Sequence, residues 1–149
     1  MARVRPADHA DAACVVALAR AMHDESPRYR GHSFDPLKVA DHFHALVPLG
    51  GAFVAETDGR IVGLLAGFVI EDFFGHDKVA GEYALYVLPE ARGGSAGARL
   101  LAAFEAWGRR QGAKEAYLGI TAGIDTERVA QFYERLGYQR VGVSLTKEL

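Results

Sequence analysis

The residues from Tyr83 to Trp107 constrain the fold more than any others. Tyr83-Ala84-Leu85-Tyr86-Val87-Leu88 reads as an apolar strand, and Pro89 stops it. Arg92-Gly93-Gly94-Ser95-Ala96-Gly97 then turns through a small-residue loop into an amphipathic helix that runs to Gln111. A helix start leaves about four backbone N–H groups without intrahelical partners, and the macrodipole adds partial positive charge there. Such a loop is a seat for an anion, most simply a phosphate. Gly112 closes the helix and Lys114 to Ile120 reads as another strand, so the two strands are expected parallel, joined by a right-handed crossover.

The rest of the chain supplies partners for this unit. Ala2 to Pro6 reads as an edge strand. Asp8 and Asp11 open a helix with Val15, Leu18, Ala19 and Met22 at helical spacing, ended by Ser26-Pro27. Asp35-Pro36 is an N-cap followed by a first-turn proline, and it starts a second helix stopped by Pro48, Gly50 and Gly51. Ala52 to Thr57 and Arg60 to Ile70 flank Asp58-Gly59, a strong hairpin signal. With a strand from Val79 to Leu88 they make an antiparallel meander. Ile124 to Arg135 reads as a helix capped by Asp125 or Thr126, and Tyr138 to Leu145 as a last strand.

Composition narrows the function classes. At 149 residues the chain suits one domain, residues 1–149, able to bury roughly two thirds of its unfolded surface. A net charge of −2 with scattered Lys and Arg argues against a nucleic-acid partner. Met1 to Pro6 does not read as a signal peptide, and the run Ile61 to Ile70 is closed by Glu71 and Asp72, short of a membrane span. Cys14, the single cysteine, lies in the apolar run Ala12 to Ala19 and is expected as a buried thiol in a reducing, cytoplasmic setting. His42 and His44 are two apart on a helix and do not face one another, so no metal is expected.

The loop by itself permits several readings. No Gly-Lys-Ser/Thr follows it, and it lacks G-x-G-x-x-G spacing, so neither a Walker loop nor a dinucleotide fingerprint is matched. A tight packing turn and a flavodoxin-like phosphate site remain open. Two stretches together go further. Val87-Leu88-Pro89-Glu90-Ala91-Arg92-Gly93-Gly94-Ser95-Ala96-Gly97 resembles the acetyl-coenzyme A loop of the GCN5-related N-acetyltransferase (GNAT) superfamily, Arg/Gln-x-x-Gly-x-Gly/Ala after a strand ending in Val-x-Pro. Phe132-Tyr133-Glu134-Arg135-Leu136-Gly137-Tyr138 is similar to the family's aromatic-Tyr-x-x-x-Gly-Phe/Tyr landmark near the end of the domain. Ser95 stands where the loop pattern has its middle glycine, and Thr126 where many members carry a cofactor-contacting asparagine.

The resemblance covers the whole chain. It implies an α/β (α+β) fold, a mixed six- to seven-stranded sheet flanked by about four helices, with acetyl-CoA as cosubstrate. The amides from Gly93 to Gly97 would hold the pyrophosphate, with Arg92 supplying charge and Arg99 a second candidate cation. Leu85, Tyr86 and Val87 would offer backbone groups to the pantetheine arm. Tyr133 is implied as the general acid, and the Val87 N–H as a group that polarises the thioester carbonyl. Glu82 is the first candidate base, with His23, His42, His44 and His76 as alternatives on ordinary pKa grounds. Met22 to Phe34 and Glu71 to Lys78 would wall the acceptor, a small-molecule or peptide amine. The exposed aromatics there are compatible with a homodimer. Holding an acyl-CoA without turnover is the competing function.

Overall fold

The computed structural model describes residues 1–149. In order the elements are β1 (Arg3–Pro6), α1 (Ala12–Glu25), α2 (Pro36–Leu46), β2 (Ala52–Thr57), β3 (Arg60–Glu71), β4 (Lys78–Val87), α3 (Ala96–Arg110), β5 (Ala113–Tyr117) and α4 (Thr126–Arg135). The strands form one sheet in the order β1-β2-β3-β4-β5. The first four pair antiparallel and β4 pairs β5 in parallel, with α3 as the crossover.

Local chemistry explains the joints. Asp58 and Gly59 take φ of 51° and 75°, the two positive values that a two-residue hairpin of matching twist needs. The Asp35 side chain accepts from the N–H groups of Leu37 and Lys38, and Pro36 occupies the first turn of α2. Gly112, at φ 83°, closes α3.

Alternation along the strands separates two apolar layers. Phe53, Ala55 and Leu65 meet Leu100, Leu101, Phe104 and Trp107 of α3 and Tyr133 of α4 on one face. Val54, Leu64 and Tyr86 meet Val15, Leu18, Phe43 and Leu46 of α1 and α2 on the other. Gly51, just before β2, is tightly enclosed: a Cβ there would lie 2.5 Å from the Gly67 carbonyl oxygen of β3 and 3.0 Å from the Trp107 ring of α3. Gly67 N–H also donates to the Gly51 carbonyl there, at 2.8 Å. Gly51→Ala should therefore destabilise the protein by about 2 kcal/mol or more, because a backbone atom cannot swing aside as a side chain can. Urea unfolding with an unchanged m-value would record it.

Two expectations need correction. Residues 138–145 form no strand, so the sheet has five strands instead of six to seven. Val141, Val143 and Leu145 have the period-two spacing of a half-buried strand yet are 80%, 88% and 93% exposed. Alternation needs a ladder partner, and β5, which ends at Tyr117, gives this segment none. Cys14 is exposed, not buried. The helix α1 packs through Val15 and Leu18, and Cys14 lies about 100° round the axis from Val15.

Candidate active site

The parallel pair β4 and β5 does not stay together. β5 meets β4 only from Lys78 to Gly81, after which the strands part. Gly119, just beyond β5, donates its N–H to Glu82 Oε1 at 3.1 Å instead of to the β4 backbone. A cleft of about 1280 Å³ opens beside the fork, lined by residues 113–121, by Thr126, Ala130 and Tyr133 of α4, and by the C-terminal segment.

β4 carries one extra residue at the fork. Ala84 lies opposite Ala66 and Glu82 opposite Gly67, which leaves Tyr83 as a bulge. Its ring packs at a tilt against Phe68 and edge-on against His42, at centroid distances of 4.6 and 4.4 Å. Past the bulge, Leu88 N–H donates to the Val62 carbonyl at 2.9 Å. Antiparallel alternation then turns the Tyr86 backbone toward Leu64 and the Leu85 and Val87 backbones toward the open edge. Of the three residues expected to serve that edge, Leu85 and Val87 turn their backbones toward it. The Tyr86 backbone pairs with β3, and its ring is buried under α1 and α2.

The loop after β4 has the properties of an anion seat. Gly93 takes the positive φ, 83°, whereas Ser95 sits at −91°, so a serine there is unstrained. No backbone carbonyl accepts from the N–H groups of Gly93, Gly94, Ser95, Ala96, Gly97 or Ala98. Ser95 Oγ is buried with no hydrogen-bond partner. A Cβ on Gly97 would lie 3.4 Å from the Phe132 ring, so that stretch of the helix is held close to α4. Unpaired amides at the positive end of a 15-residue helix, with an orphaned hydroxyl beside them, suit a pyrophosphate.

The cations are placed differently from expectation. The guanidinium of Arg92 is engaged by both carboxylate oxygens of Glu25, at 2.8 Å each, and its Nε donates to the Val87 carbonyl at 2.9 Å. The Arg99 guanidinium lies against Met1. Glu25 itself carries no sequence signal for this role beyond being one of several acidic residues near the acceptor side.

Glu82 and Tyr133 are the two titratable groups at the fork that burial perturbs most. Burial pushes the Glu82 carboxyl up to about 7, opposed only by the Gly119 N–H. Burial also pushes the Tyr133 hydroxyl up, and the charge of Glu82 adds to it. Tyr133 is buried on α4 with Phe132 and Tyr138 at its ring, on the helix side that also carries Thr126 and Ala130. The histidines lie elsewhere: His23 Nε2 sits 2.8 Å from the His32 carbonyl, His44 Nδ1 2.8 Å from His9, and His76 at the exposed tip beside Glu71. Only His42, against Tyr83, adjoins the bulge. No three His, Cys, Asp or Glu side chains converge as a metal site, and no helix is long and apolar enough to cross a membrane.

The end of α1 roofs the fork. The buried Ser26 hydroxyl donates to the Ala122 carbonyl and accepts from Tyr29 N–H, while Tyr29 Oη meets Thr121 Oγ1 at 3.0 Å.

Solved structures share this architecture. AAC(6')-Iy in complex with the bisubstrate analogue CoA-S-monomethyl-acetylneamine is 17% identical, with a TM-score of 0.79 over 100% of this chain and 98% of that one. Glucosamine-6-phosphate N-acetyltransferase from Arabidopsis thaliana is 15% identical, with a TM-score of 0.76 over 99% and 98% of the two chains. A transcriptional regulator from Bacillus halodurans C-125 is 18% identical, with a TM-score of 0.79 over 100% of both. At such identities the likeness is one of fold. No curated protein matches the sequence. The model of the acetyltransferase (GNAT) family, however, matches residues 17–138, from within α1 to just past α4 and including the loop, Glu82 and Tyr133, and the chain belongs to that family.

Proposed function

We propose that this chain, as one domain over residues 1–149, is an N-acetyltransferase that moves an acetyl group from acetyl-CoA directly to a primary amine of a small molecule or peptide. The observation that carries the reading is a run of unpaired amides in the loop directly after an open β4 edge, with two proton carriers at the β4–β5 fork: Glu82, which accepts from Gly119 N–H, and Tyr133, which lines the cleft and feels the Glu82 charge. Acetyl-CoA supplies an activated acetyl thioester. The amides from Gly93 to Gly97 and Ser95 Oγ would seat its pyrophosphate, the Leu85 and Val87 edge would take its pantetheine arm, and Thr126, at the start of α4, lines the cleft beside the fork.

An alkyl ammonium with pKa near 10.4 is neutral in only about one molecule in a few thousand at pH 7. Glu82, with its pKa brought to about 7, is matched to remove that proton, directly or through water. Tyr133, held protonated, has a proton to give to the departing sulfur. The Val87 N–H, which points to the open edge, would stabilise the carbonyl oxygen as charge develops on it.

The test is thiol release from acetyl-CoA across a panel of small and peptide amines. Turnover of any amine supports the reading, and tight CoA binding with every amine inert would instead make the chain a holder of acyl-CoA. Ser95→Ala gives a narrower check. The unliganded protein should keep its stability or gain up to about 1 kcal/mol, because an unsatisfied hydroxyl is removed. Its CoA affinity by calorimetry should fall severalfold.

A further inference from the structure

Arg92 does more than flank the loop. In the chain it directly precedes Gly93, whose positive φ begins the anion seat. In space its Nε donates to the carbonyl of Val87, the last residue of β4, at 2.9 Å. One residue thus ties the start of the seat to the end of the open strand edge. Glu25, the last residue of α1, takes Nη1 and Nη2 at 2.8 Å each. Tyr86 Oη donates to Glu25 Oε1 at 2.7 Å, and the Tyr86 ring lies under the guanidinium at 5.3 Å. Each guanidinium nitrogen therefore already donates to protein, and the cationic charge is balanced by a carboxylate whose pKa Arg92 lowers. The fork-to-fork pair is the stronger kind of ion pair, planar and bidentate.

We propose that Arg92 and Glu25 form a positioning latch that sets the spacing between the anion seat and the Val87 edge, and that Arg92 is not itself a phosphate ligand. The proposal rests on the acetyl-CoA reading above. A ligand that spans both places must match the distance between them, and holding that distance before binding spares the ligand the ordering cost. A ligand that uses only the seat has no such requirement. Because Glu25 ends α1, whose following residues Ser26 and Tyr29 roof the fork, the latch also fixes that roof to the cofactor cradle.

Calorimetry with CoA and with ADP, which carries a pyrophosphate but no pantetheine arm, separates the latch from a direct ligand. The proteins are the wild type, Arg92→Gln, Arg92→Lys, Glu25→Gln and the Arg92→Gln/Glu25→Gln double variant, with thermal melts of each to confirm folding. Arg92→Gln and Glu25→Gln should each weaken CoA binding by about tenfold, and the double variant should be no worse than either single one. Arg92→Lys should resemble Arg92→Gln, because an ammonium cannot form the fork. ADP affinity should stay within about twofold throughout, and in turnover the loss should fall on KM for acetyl-CoA more than on kcat. The latch is overturned if Arg92→Gln weakens ADP and CoA alike, if Glu25→Gln leaves CoA binding unchanged, or if lysine restores it. Wild-type protein that binds no CoA would overturn the cofactor reading and the latch with it, whereas these ratios bear on the latch alone.

Discussion

Tyr133→Phe is expected to lower kcat for amine acetylation by about 10²-fold or more, with KM for acetyl-CoA changed by no more than about twofold. The Tyr133 ring belongs to the core under α3 and α4 and touches Phe132 and Tyr138. Phenylalanine keeps that packing. The tyrosine hydroxyl is raised by burial and by the Glu82 charge, with no hydrogen bond from the protein contributing. Removing it therefore takes away a proton source and no structural bond, and the melting temperature should hold or rise. Steady-state kinetics beside a thermal melt checks both halves. An unchanged kcat on a turned-over amine would move the acid to another group.

The parts of the fold that rest on near neighbours in the chain are legible in the sequence. Asp58-Gly59, Asp35-Pro36, Gly112 and the loop from Arg92 to Gly97 specify their own dihedrals and caps, so the element ends they mark lie within about two residues of where the pattern puts them, whereas β5, expected to reach Ile120, ends at Tyr117 where it leaves β4. Partnerships that cross the chain are not legible in this way. Arg92 reads as a free cation because its partner Glu25 is 67 residues away, and Gly119 reaches Glu82 across 37. At the open edge, which of Leu85, Tyr86 and Val87 turns its backbone outward is likewise fixed by pairing with β3 and not by the stretch itself. The stretch from Val141 to Leu145 misleads for a related reason: its period predicts a face, and only a neighbouring strand turns a face into a ladder.

Glu82→Gln is expected to trade activity for stability, and pH separates the two effects. As a base, Glu82 works only when ionised, so wild-type kcat/KM should climb with unit slope to about pH 7 and then level. In the Gln variant the amine must lose its proton to solvent, so the rate should be lower by about 10²-fold near neutrality and keep climbing toward pH 9–10. Stability moves the other way. The carboxyl releases its proton near 4.5 when unfolded and at about 7 when folded. Between those values the folded state binds more protons, so stability attributable to this group falls as pH rises and stays low above pH 7. A glutamine carries no such charge and can still accept from Gly119 N–H. The variant should therefore gain stability over wild type from pH 5 to 8, by on the order of 3 kcal/mol at most. A slower and more stable protein at pH 8 is the signature of a carboxylate kept in an apolar fork for its proton affinity. A rate loss without the gain would mean that Glu82 is solvated and acts by charge alone, and a gain without the rate loss would leave burial as its whole effect and place the base elsewhere, with His42 beside Tyr83 the nearest histidine to the bulge.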